Sequence, residues 1–299
     1  MTLRKFILKV WDSPVFATWS SFLSKSLYAV LLLPVITTVL SREEITVWLL
    51  FNIFIGLQNI GDLGFGVTFI RVMSYAMGGA TNISDFDKKD NIRRKEGVNW
   101  ELLERADNST RLVLFYTGLA FIIIISAAGY FTLRKPISFT LDPGEAWISF
   151  ILILITTFIR FNGNRYMIFL QGVNKVAMLR RWEAIISVLS IISGFFVAIT
   201  TRSLLWIIVN QQVWAIIQLL FNRYLCRIIL DGRFREFRPA GFDRELFNAI
   251  FPAAWKSWVG VLMSYGVVQA SGLAVAQMGN NPSVTAYLFS LKILDILKN

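Results

Sequence analysis

Asp62 stands among three glycines, in Asn59-Ile60-Gly61-Asp62-Leu63-Gly64-Phe65-Gly66, inside an apolar run from Ile45 to Met77. A carboxylate in the middle of a membrane-crossing helix costs about 2.5–3.5 kcal/mol, and a basic residue a similar amount. Gly61, Gly64 and Gly66 remove side-chain bulk, so a neighbouring helix or a substrate can approach the backbone closely. Among the cations in other apolar runs, Lys25, Arg160, Arg165 and Lys256 stand out. Left in lipid they would together cost on the order of 12 kcal/mol. Asp62 and Glu183 can neutralise two of them at most, so the others must face water or a bound anion. The chemistry these residues can do is therefore to hold a negative charge. General acid–base catalysis has few candidates, because the chain contains no histidine. Its single Cys226 excludes an internal disulfide and any cysteine-based metal cluster. A plainer reading is a kinked helix with one paired acid, and bases that snorkel or pair one by one. That reading suits Arg71 and Arg165, near span ends, better than Lys25, Arg160 and Lys256.

The elements that must position these groups are long apolar helices. Of 299 residues, 55% are hydrophobic, and mean hydropathy is +0.57, above what soluble domains carry. Apolar blocks fall at Phe16–Leu40, Ile45–Met77, Leu112–Leu133, Ala146–Leu170, Trp182–Thr200, Ser203–Leu225, Phe247–Ala276 and Val284–Leu297. This spacing predicts an all-α, polytopic transmembrane bundle. Net charge is +11, which in a soluble protein would point to nucleic acid; here loop asymmetry accounts for it, and no nucleic-acid partner is expected. One side collects Arg4, Lys5 and Lys9, the bases from Lys88 to Arg111, from Lys175 to Arg181 and from Arg227 to Arg244. The other receives only Arg42, Arg134, Lys135 and Arg202. The positive-inside rule then puts the N-terminus in the cytoplasm. The start has no small-residue cleavage site, so an uncleaved first helix is expected. The Gly78–Asn108 connection, with its Asp85-Phe-Asp-Lys-Lys-Asp90 run, reads as a solvated linker carrying at most a short surface helix. Trp11, Trp19, Trp48, Trp147, Trp182 and Trp206 near span ends read as interface anchors.

Several spans carry polar stripes at helical spacing. Ser21, Lys25 and Tyr28 share a face of the first. Asn59, Asp62 and Gly66 share one on the second, with Arg71 about 180° away from Asp62 at 100° per residue. Arg160, Asn164 and Gln171 line the fourth; Glu183, Ser187, Ser190 and Gly194 the fifth; Gln211, Gln218 and Asn222 the sixth; Lys256, Gly260, Ser264 and Ser271 the seventh. Lys25 and Lys256 each lie about 13 Å into their spans at 1.5 Å per residue. A faint repeat links Trp19-Ser-Ser-Phe and Leu40-Ser-Arg-Glu-Glu-Ile-Thr-Val-Trp48 with Trp255-Lys-Ser-Trp and Gly279-Asn-Asn-Pro-Ser-Val-Thr-Ala-Tyr287. It suggests a six-helix lobe over residues 1–230, then a linker and the opening two helices of a second lobe over 231–299. The last block stops before a full span, so either the natural chain is longer or it ends early.

Pro34-Val-Ile-Thr-Thr-Val-Leu-Ser-Arg-Glu-Glu-Ile-Thr-Val-Trp48, Asp62-Leu-Gly-Phe-Gly66 and the Leu170-Gln-Gly-Val-Asn-Lys175 turn together resemble the polysaccharide (O-antigen, Wzx-type) flippases. These belong to the multidrug/oligosaccharidyl-lipid/polysaccharide exporter superfamily. The resemblance covers essentially the whole chain; a glycine usual in the family's first loop is Val47 here. It implies a MATE-like fold of two six-helix lobes around a central cavity, in the bacterial cytoplasmic membrane. It also implies transport of an undecaprenyl-diphosphate-linked oligosaccharide by alternating access, without a cofactor, with H+ or Na+ coupling left open. Polysaccharide polymerase or assembly proteins are the implied partners. On this expectation Lys25, Arg160, Arg165 and Lys256 receive the anion, Asp62 neutralises a base when the cavity is empty, and Gly61, Gly64 and Gly66 let the second helix bend. A multidrug cation antiporter would want an acidic cavity. A membrane glycosyltransferase, polymerase or acyltransferase would want paired acids or a histidine base. A non-transporting component of a polysaccharide assembly complex is the remaining alternative.

Overall fold

The computed structural model describes residues 27–81, 96–278 and 281–298. Among the described residues there is no β-strand, and five helices are long and apolar enough to cross a membrane. The chain is a multi-pass, all-α membrane protein. Helix α1 (Tyr28–Val39) opens with a π-helical turn at Tyr28–Leu32. It is followed by α2 (Arg42–Gly61), α3 (Phe65–Met77), α4 (Trp100–Ile137), α5 (Pro143–Gly172), α6 (Val176–Thr201) and α7 (Leu204–Ile228). A 3-10 segment (Leu230–Arg235) leads to α8 (Arg244–Gln277), which holds a π turn at Leu262–Gly266, and to α9 (Asn281–Lys298).

The helix starts are written in short polar side chains that satisfy otherwise orphaned backbone N–H groups. Ser41 and Glu44 form a reciprocal capping box at α2. Asn99 accepts from Leu102 N, Asp142 from Glu145 N just before Pro143, and Asp243 from Leu246 N. Helix α5 is the hub, packed against α2, α3, α4, α6 and α7, while α9 lies on α2 and the first half of α8 on α3. Two apolar clusters result. One gathers Trp48, Phe51, Phe54, Leu133 and Phe150; the other gathers Phe65, Phe69, Phe161, Phe169, Phe234 and Leu246 at the end where the basic loops lie. Thr46 and Thr285, equivalent positions of the sequence repeat, meet at 2.6 Å.

Two departures from the expected blocks matter. The Ile45–Met77 run is two helices, because the chain breaks at Asp62–Gly64. Leu63 and Gly64 both take left-handed backbone angles, with φ of 53° and 74°. Asp62 Oδ1 accepts from Gly64 N at 3.0 Å and Oδ2 from Gly66 N at 3.1 Å, capping the start of α3. Trp258 of α8 donates its indole N–H to Ile60 O at 3.0 Å, tying α8 to the end of α2. A Cβ on Gly64 would strike Ala254 O and Trp258 N, so only glycine lets α8 cross the break this closely.

The second departure is α4, which starts at Trp100 instead of Leu112. Its 38 residues span about 57 Å at 1.5 Å each, nearly twice a hydrocarbon core of about 30 Å. Its first turns tie down the approach to α8. Arg105 Nε donates to Asp243 Oδ2 at 2.7 Å and its terminal nitrogen to Glu245 at 3.2 Å. Arg238 N donates to Glu104 at 2.7 Å, and Asn108 bonds both Arg238 O and Ala240 N. The Arg105 guanidinium holds the Asp243 carboxyl below the usual carboxylate range.

Candidate functional site

A cavity of about 500 Å³ opens between α5, α6 and α7, with Gln58 of α2 on its wall. Arg160 and Asn164 reach it from α5, Arg180, Glu183, Ser187 and Ser190 from α6, and Gln211, Gln218 and Asn222 from α7. The polar stripes of three separate spans thus converge. From Arg180 to Ser190 the lining runs ten residues along α6, about 15 Å, or half the thickness of a hydrocarbon core. At its outer part Arg180 donates to Glu183 at 2.9 Å. Deeper, Arg160 forms no hydrogen bond or ion pair with any described residue. Gln218 Nε2 and Asn222 Oδ1 are buried and also make no hydrogen bond with any described residue.

Beside the cavity, other polar groups are locked to one another. Trp214 Nε1 donates to Ser193 Oγ at 2.6 Å, and Ser193 donates to Asn210 Oδ1 at 2.8 Å, joining α6 to α7. One turn beyond Arg160, Thr156 donates to buried Gln212 Oε1 at 2.7 Å. These bonds fix the walls and leave the Arg160 fork and the amides of Asn164, Gln211, Gln218 and Asn222 for an occupant. The lining carries two arginines and one glutamate, a net positive charge. A guanidinium binds phosphate or carboxylate in bidentate fashion, while amides and serine hydroxyls match the hydroxyls of a sugar.

The expected site residues are not gathered in one place. Lys25 lies outside the described residues. Lys256 is exposed on α8 and does not line this cavity. Asp62 is also absent from it: its carboxylate accepts from backbone N–H groups of its own junction and pairs with no base among the described residues. The physical reason is local, since a carboxylate two residues before a left-handed glycine caps the next helix more cheaply than it crosses the bundle. Arg165 points away from Arg160 to a second site. Its guanidinium sits 3.6 Å from Asp107, whose side chain is 3% exposed, and over the rings of Tyr166 and Phe234. It does not snorkel.

Three contributors are not evident from the sequence pattern. Arg180 reads as a loop base, yet it lies within the first turns of α6. Asp107 falls in the expected linker; the signal for a helix there is Asn99 followed by a stretch without Gly or Pro up to Leu112. Lys292 lies in an apolar block and meets the same criterion as Lys256. It donates to Asn52 Oδ1 at 3.0 Å and sits 5.2 Å from the Tyr28 ring and 6.0 Å from the Trp48 ring.

The fold and the cavity define a class: a multi-pass helical membrane protein with a polar, cationic hollow inside its bundle. Compared with known protein families, curated proteins and solved structures, the chain matches none.

Proposed function

We propose that this chain is a flippase, or the larger part of one, for an anionic lipid-linked glycan. It would sit in a bacterial cytoplasmic membrane with a cytoplasmic N-terminus and move an undecaprenyl-diphosphate-linked oligosaccharide by alternating access. The observation that carries this reading is Arg160: a guanidinium without a protein partner among the described residues, deep in a cavity whose other free groups are amides and hydroxyls. An intramembrane cation is expensive, and here the compensation falls to whatever enters. The diphosphate or an acidic sugar meets Arg160, sugar hydroxyls meet Asn164, Gln211, Gln218 and Asn222, and the lipid tail stays in the bilayer. Arg180 exchanges its bond to Glu183 for the incoming anion, which makes Glu183, and not Asp62, the counter-ion of the empty state. The resemblance at Pro34–Trp48 and Asp62–Gly66 supplies the substrate class.

The test is delivery of lipid-linked glycan to the outer face, in cells and in liposomes containing only this protein. Arg160→Gln, which keeps most of the side-chain length and loses the charge, should reduce delivery at least about tenfold, the effect of one charge-assisted hydrogen bond. Undiminished delivery would defeat the assignment of the cavity. Absence of delivery by the unaltered chain in liposomes would favour a non-transporting role in an assembly complex.

A further inference from the structure

A second pocket, of about 590 Å³, lies at the basic end of α5 and α7. It is lined by Arg165, Arg223, Arg227 and Arg235 together with the aromatic rings of Tyr166, Tyr224, Phe234 and Phe237. Among the described residues, no acid lines it. Its back wall is built, not incidental. The chain turns through left-handed angles at Leu230, Asp231 and Gly232, which drives Phe234 into the protein beside Phe169, ring centroids 4.7 Å apart. That turn leaves Arg235 facing Arg223 and Arg227, one turn apart on α7. Arg165 closes the inner end; its Nε is buried and donates to no described residue. Asp107 engages Arg165 at 3.6 Å. Arg223, Arg227 and Arg235 have no carboxylate partner among the described residues.

Guanidiniums crowded into one hollow repel one another unless an anion joins them, and phosphate is the anion whose geometry their forks match. The outer face of α7 beside the pocket is apolar and exposed, at Leu220, Tyr224 and Ile228. A ligand here would have its charge among the arginines and its apolar part along α7. We propose that this pocket binds the phosphate of an anionic phospholipid at the basic membrane interface, as a site separate from the Arg160 cavity. Basic pockets between helix ends are where such head groups bind. The phosphodiester bridges Arg165 and Arg227, Arg223 and Arg235 close over it, and the acyl chains descend along Leu220 and Tyr224.

The experiment uses the full chain purified in detergent and transferred to nanodiscs of phosphatidylcholine with or without phosphatidylglycerol. Native mass spectrometry should show retained phosphatidylglycerol on the unaltered protein. Arg223→Gln with Arg227→Gln should weaken retention about a hundredfold, tenfold for each guanidinium removed; both side chains are exposed, so folding is not at stake. Arg134→Gln with Arg202→Gln, at the opposite end, should retain the lipid. Equal retention by the Arg223/Arg227 variant would overturn the proposal. So would stabilisation by inorganic phosphate alone that equals the effect of phosphatidylglycerol, since the site would then serve a soluble anion. The readout is independent of transport, so it stands or falls apart from the flippase reading.

Discussion

Arg160 and Arg165 are five residues apart on one helix, and the bundle treats them in opposite ways. Arg165 is neutralised from within: Asp107 faces it, two rings stack on it, and its side chain is only 18% exposed. Arg160 has no such partner and looks into a cavity of about 500 Å³. Five residues on a helix amount to a rotation of about 140°, which sends the two side chains to different neighbours. Asp62 shows a third solution, in which a charge is satisfied by the backbone of a helix break. A buried charge with an internal partner is held in place by the protein; one without depends on what enters.

Breaking the Arg165 pair should have the largest effect on stability. Asp107→Ala leaves a buried guanidinium uncompensated and should cost about 3–5 kcal/mol, measured by thermal or denaturant unfolding in detergent. Combining Asp107→Leu with Arg165→Met should restore most of that loss, because replacing both partners removes the penalty. Failure of the double variant to recover would mean that Arg165 has its main partner elsewhere.

Next comes the helix break. Gly64→Ala should destabilise by about 2–3 kcal/mol, since an alanine there is strained at positive φ and forces α8 away from the junction. Gly78→Ala, where φ is −84° and nothing closer than 3.5 Å meets a Cβ, is the control and should be nearly silent.

The opposite outcome is expected at Arg160. Arg160→Met should leave stability within about 1 kcal/mol or raise it, because no partner is orphaned, while glycan delivery falls. Destabilisation as large as that of Asp107→Ala would erase the contrast between the two arginines.

The smallest effect belongs to a pair outside the bilayer. Asp243 has its carboxyl lowered by Arg105, so its contribution is fully present above the ordinary Asp value near 4 and is lost as pH falls through its own lower value. The pair is solvated and worth about 0.2–1 kcal/mol, less in high salt. Asp243→Asn keeps the cap on Leu246 N and should remove only that acid-side dependence, seen by comparing unfolding at neutral pH and near pH 3.

The all-α, multi-pass character followed from the residues alone, because a lipid-crossing helix must be apolar over a fixed length whatever it packs against. The polar stripes of the fourth, fifth and sixth spans were legible for a similar reason: 3.6 residues per turn assigns faces without knowledge of neighbours. Partnership was not legible. Nothing in the sequence near Arg165 points to Asp107, 58 residues earlier, and nothing at Lys256 says that its face turns away from Arg160. Asp62 misled because its partners are backbone N–H groups, invisible as residue types. Which stripes meet, and which charge is left without a mate, depends on how the helices rotate and cross, and that is settled by packing among residues far apart in the chain.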